Sequence, residues 1–74
     1  MERTDIYTVI GKNIKKYRKI AGLSGEQLAR KANLSYGFIK NLEAKNVRAT
    51  ISIETLQLIA DCLDTNIINL LKED

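Results

Sequence analysis

The sequence predicts an all-α domain built from five short helices. Three observations carry that reading: apolar residues recur at spacings of three and four, serines and a glycine or asparagine stand where helices would start and stop, and proline is absent.

Ile6, Val9, Ile10, Ile14 and Tyr17 draw one apolar stripe along a first helix of roughly residues 5 to 20, with Lys12, Lys15, Lys16 and Lys19 on the other faces. Gly22 follows its basic last turn and accepts the left-handed conformation that stops a helix. Ser24 caps a second helix. Gln27, three residues on, completes a capping-box spacing, and Leu28 and Ala29 face inward. That helix ends near Lys31 to Ala32, because Asn33 tolerates a sharp turn. Ser35 caps a third helix of about residues 36 to 44, in which Ile39 and Leu42 form the inward pair and Tyr36, Gly37, Lys40 and Asn41 occupy another face. After a loop through Lys45 to Thr50, Ser52 caps a fourth helix carrying Ile53, Leu56, Ile59, Ala60 and Leu63. Asp64 to Asn66 forms a turn, and Ile67, Ile68, Leu70 and Leu71 form a short last helix.

Seventy-four residues fit one domain, spanning 1–74 with its core at about 6–71. A chain of this length buries only about 60% of its unfolded surface, so the core must be economical. Hydrophobic residues make up 45% of the chain and are spread along it, which suits a globular domain and argues against disorder or a membrane span. The acidic, polar start at Glu2, Arg3 and Asp5 is not the pattern of a secretory signal, and a cytoplasmic protein is expected. Cys62 is the only cysteine and sits in an apolar pattern, which reads as a small buried hydrophobe and excludes an internal disulfide. With no histidine and one thiol, neither a tetrahedral zinc site nor most general-base chemistry can be assembled. No glycine-rich phosphate loop or pair of acids in apolar surroundings is present either, so no enzyme activity, cofactor or metal is expected.

The formal net charge of +3 conceals a stronger polarity. Residues 11 to 48 hold ten Lys and Arg against Glu26 and Glu43, a net of +8, whereas residues 49 to 74 sum to −4. A basic two-thirds followed by an acidic tail suits a polyanion, since nucleic-acid affinity rests on neutralised phosphates and released counterions. A lysine-rich helix face can equally be plain solvated surface.

The stretch from Leu23 to Glu43, LSGEQLARKANLSYGFIKNLE, closely resembles the phage-repressor and Cro-like helix-turn-helix family, the xenobiotic-response-element type. Ile10, Gly11, Ile14 and Arg18 resemble its first helix and IETLQLIADCLDTNIINLL its fourth and fifth, so the likeness runs over about residues 6 to 71. It implies a compact five-helix, repressor-like domain whose helix-turn-helix is formed by helices 2 and 3. The packing logic agrees: Ala29 is small where the third helix crosses the second, Ala32, Asn33 and Leu34 make the tight turn, and Ile39 and Leu42 point inward. The resemblance also implies a partly buried structural ion pair between Arg18 and Glu43.

In such a fold the third helix enters the major groove, so the resemblance places Tyr36, Gly37, Lys40 and Asn41 at base edges with Phe38 beside them. Lysine donates to guanine O6 and N7, and asparagine pairs with one adenine edge, which makes Lys40 and Asn41 the leading base readers. Tyr36 can meet a phosphate or a thymine methyl. Phe38 can pack against the second helix or touch sugars and methyls. Phosphate contacts are expected from Ser24, Gln27, Lys45, Asn46, Arg48 and Ser52, at helix N-termini and in the loop after helix 3. Gly25 stands where many family members carry a phosphate-binding glutamine, so Gln27 or bare backbone would have to serve.

One copy offers few base contacts, and a two-fold dimer on a palindromic operator doubles them across half-sites roughly 34 Å apart. Ile67, Ile68, Leu70 and Leu71 are the candidate homodimer interface, or else they close the core. The expected function is that of a sequence-specific, double-stranded-DNA-binding repressor or controller, bacterial or phage-encoded and at the nucleoid when bound, with no small-molecule effector. The competing reading is a protein-interaction module of antitoxin or adaptor type. Polar readers at Lys40 and Asn41 beside a basic flank favour DNA.

Overall fold

The structure, a computed structural model, describes residues 5–44 and 49–73. Among them are five helices and no strand: α1 (Ile6–Ile20), α2 (Gly25–Ala32), α3 (Tyr36–Glu43), α4 (Ile53–Cys62) and α5 (Ile67–Leu71). None of these helices is long and apolar enough to cross a membrane.

Local chemistry sets nearly every boundary. Asp5, Ser24, Ser35, Ser52 and Asn66 each stand in extended backbone and accept a first-turn N–H with the side chain, so each helix begins with one orphan donor already satisfied. The capping box of α2 is closed in both directions: Gln27 N–H donates to Ser24 Oγ at 3.0 Å, and Ser24 N–H donates to Gln27 Oε1 at 2.8 Å. At the other ends, left-handed residues stop α1, α2 and α4. Gly22, with φ of 74°, turns the chain so that its own N–H reaches Lys19 O at 3.0 Å and Leu23 N–H reaches Arg18 O at 3.0 Å. Asn33 (φ 57°) and Asp64 (φ 56°) perform the same turn without glycine, as short polar residues can.

The core is one cluster in which Ile14, Leu28, Ile39, Leu56, Ile59 and Leu70 are fully buried. Ala29 and Ala32 are buried with them, so α3 packs tightly on α2, while α1 supports α3 from a second side. Cys62 is a buried free thiol within the same cluster. Helix α5 lies on α1 and α4. Its end is tethered by Asn13, the one buried polar residue of the described chain, whose Nδ2 donates to Leu70 O at 2.9 Å and Lys72 O at 2.7 Å. Those are carbonyls a short helix leaves unsatisfied at its C-terminus.

Three apolar assignments are corrected. Ile6 (47% exposed) and Ile53 (66% exposed) keep the right helical spacing but project from the first turns of α1 and α4, beyond the cluster. Leu70 is fully buried and closes the core, so it leaves the set of residues available to a dimer interface. Ile67 is half-buried against the same cluster, and only Ile68 and Leu71 of that group are exposed.

Candidate nucleic-acid interface

Helix α3 is held by Ile39 and Leu42, both buried, and its two faces separate accordingly. Tyr36, Gly37, Lys40 and Asn41 lie on the exposed side. Four groups of different chemistry therefore share one short outward surface: a phenol, a bare backbone position, an ammonium and an amide. Phe38 does not join them. Its ring is half-buried and packed on the core, so packing takes it rather than the outer face.

The orientation of α3 is fixed at its C-terminal end by charge. Arg18 Nε donates to Glu43 Oε2 and Arg18 Nη2 to Glu43 Oε1, both at 2.8 Å, a fork-on-fork pair. Arg18 Nη1 donates to Leu23 O at 2.9 Å, so one guanidinium joins α1, the turn before α2 and the end of α3. The two side chains are only 13% and 11% exposed. The hydrogen bonds to Glu43 hold the Arg18 pKa above its ordinary value, against burial, which works the other way; electrostatic interaction with Glu43 and, after it, with Tyr36 adds to the rise. Arg18 is thus committed to the fold.

The phosphate candidates fall into two groups. Ser24, Gln27 and Ser52 are exposed at the N-termini of α2 and α4, with their side chains engaged in caps; Ser52 Oγ accepts from Thr55 N–H at 3.2 Å and donates to Thr55 Oγ1 at 2.9 Å. What these termini offer an anion is first-turn backbone N–H and the positive end of the helix. At both termini this is offset by an acid in the first turn, Glu26 in α2 and Glu54 in α4. Lys45, Asn46 and Arg48 lie outside the described residues.

Beside α3 runs an open cleft of about 260 Å³ that brings together Lys15 of α1, Gly25 of α2, and Tyr36, Lys40 and Glu43 of α3, with Arg18 behind them. The sequence pattern places Lys15 only on the outer faces of the first helix, together with Lys12, Lys16 and Lys19. The fold places Lys15 on the same cleft as Lys40, so cations from two separate helices line it. Nothing local in the sequence announces that, because α1 and α3 meet only through tertiary packing. Gly25 was legible as a departure but not for its consequence. A Cβ built there would stand 3.0 Å from Tyr36 Cε1.

A helix-turn-helix family model matches residues 14–69. The HTH-type transcriptional regulator SinR of Bacillus licheniformis is 35% identical over 65 residues, covering 88% of this chain and 58% of that protein. The chain therefore spans under two-thirds of the length of that relative. The control protein C.SmaI of Serratia marcescens is 37% identical over 67 residues, covering 90% of this chain and 77% of that one. Among solved structures, SinR in complex with DNA, described as the master regulator for biofilm formation, superposes with a TM-score of 0.78 at 35% identity, over 85% of this chain and 98% of that chain. A matched family model that spans all of α2 to α4, together with relatives above one-third identity over most of the chain, settles the membership. The chain belongs to the xenobiotic-response-element type of the helix-turn-helix family.

Proposed function

We propose that the protein is a sequence-specific double-stranded-DNA-binding transcriptional regulator, a repressor or controller that acts as a homodimer on a palindromic operator. The observation that carries this reading is the exposed face of α3, where Lys40 and Asn41 stand clear of the core on a helix anchored by Ile39 and Leu42. In the major groove Lys40 donates to guanine O6 and N7, and Asn41 both donates to and accepts from an adenine edge. Lys15 and the N-termini of α2 and α4 supply phosphate contacts, joined by Lys45, Asn46 and Arg48. That a solved relative of the same fold is described in complex with DNA supports the docking mode. The protein would act in the cytoplasm, at the nucleoid when bound.

Selection from a random duplex pool should enrich an inverted repeat. Lys40→Ala and Asn41→Ala should each lose about 1–3 kcal/mol of discrimination at one base pair per half-site, with little change in the salt dependence contributed by phosphates. Binding that responds to salt alone, or no enriched site, would move the protein-interaction reading to first place.

The dimer rests on Ile68, 61% exposed, and Leu71, 37% exposed, which are three apart on one face of α5. Sedimentation of the wild type at high micromolar concentration should give a dimer. Ile68→Glu should give a monomer that melts no earlier than the wild type extrapolated to low concentration. A wild type that stays monomeric sinks the dimer.

A further inference from the structure

We infer that Gly25, through the ring of Tyr36, is a specificity-determining positioning residue: its missing side chain seats the tyrosine as a fixed aromatic plate at the start of α3, where it contacts a thymine methyl. This rests on the DNA-binding reading above.

Tyr36 is the first residue of α3 and is 47% exposed, so it is partly covered by protein and partly left for a partner. The covered part faces the first turn of α2. A Cβ added at Gly25 would lie 3.0 Å from Tyr36 Cε1, 3.6 Å from Cδ1 and 4.0 Å from Ile39 Cγ2. The ring therefore occupies the space a side chain at 25 would need, and such a side chain would have to displace it by a few tenths of an ångström. Gly25 has no left-handed backbone to require glycine, in contrast to Gly22. Conformation does not explain the glycine, and the space taken by the ring does. A ring resting on rigid backbone has given up its rotamer freedom before DNA arrives, so the ordering cost is already met in the free protein. The exposed apolar edge of such a plate suits the C5-methyl of thymine, the one apolar group on the major-groove edge.

The test has one arm without DNA and one with it. In the free protein, the Gly25 Hα resonances should carry an upfield ring-current shift that Tyr36→Leu abolishes, and Gly25→Ala should move the Tyr36 ring signals while the melting temperature stays within a few degrees. With the selected operator, replacing the relevant thymine by deoxyuridine should weaken wild-type binding about fourfold, the worth of one buried methyl, and should leave Gly25→Ala and Tyr36→Leu unaffected. The double variant should discriminate no worse than either single one, the mark of two residues acting as a unit. Unshifted Gly25 resonances, or a deoxyuridine operator bound equally by wild type and Gly25→Ala, would overturn the inference while leaving DNA recognition standing. A wild type that enriches no site removes both.

Discussion

Arg18→Met is expected to cost about 3–5 kcal/mol, a large part of the ~5–15 kcal/mol that holds a domain together. The methionine replaces the stem but none of the donors. It leaves Glu43, 11% exposed, as a carboxylate without its two 2.8 Å partners, and it releases Leu23 O. Most of the loss is the desolvation of that stranded charge, not the intrinsic worth of the pair. Arg18→Met with Glu43→Leu should accordingly recover most of the stability, because a nearly buried pair roughly balances its own desolvation. Urea unfolding with an unchanged m-value measures both, and the double-mutant cycle should be strongly non-additive. The raised Arg18 pKa adds a sign: on the arginine's side the contribution is complete below arginine's ordinary pKa and fades only as pH climbs past the raised value, so it is constant from neutral to moderately alkaline pH. A single-variant cost under 1 kcal/mol, or a double variant as weak as Arg18→Met, would show the pair to be peripheral.

Helix boundaries were legible because they are local events. Ser24, Ser35 and Ser52 each need only their own next three residues to act as caps, and Gly22 and Asn33 need only their own backbone angles. The inward face of α3 was legible for a similar reason, since Ile39 and Leu42 are its only purely aliphatic residues. Ile6 and Ile53 misled because periodicity gives the phase of a helix and not the length over which another element faces it. Leu70 and Ile68 were indistinguishable because five residues make little more than one turn, too few repeats to fix a phase. The tether from Asn13 to carbonyls 57 and 59 residues away had one visible sign, an asparagine set among Val9, Ile10, Ile14 and Tyr17 on the apolar side of α1. The exposed residues of α3 other than Phe38 could be named one by one, whereas the placing of Lys15 on the same cleft and of Tyr36 against Gly25 arises where separate helices meet.

Gly11→Ala should destabilise the protein by about 3 kcal/mol, although alanine is the better helix former by up to about 1 kcal/mol. Gly11 lies in the middle of α1 with ordinary helical backbone, so its intrinsic preference favours the substitution. The neighbourhood decides otherwise. A Cβ there would overlap the carbonyl oxygen of Leu42 and stand 3.1 Å from its carbonyl carbon, and these are backbone atoms of α3 that cannot rotate aside. The two helices would have to separate where Arg18 grips Glu43, one residue beyond Leu42, so steric strain and a lengthened ion pair would arrive together. Gly37→Ala is the matched control, because its Cβ would meet nothing within 4 Å and its backbone is not left-handed. That variant should gain up to about 1 kcal/mol. For a domain of this size each kcal/mol moves the melting temperature by roughly 4–8 °C, so thermal melts should show Gly11→Ala falling by more than 10 °C while Gly37→Ala rises by a few degrees. Because Gly37 is on the face assigned to DNA, Gly37→Ala should also bind the operator more weakly despite its firmer helix. Equal melting temperatures for the two variants would mean that α1 and α3 are farther apart than the structure places them.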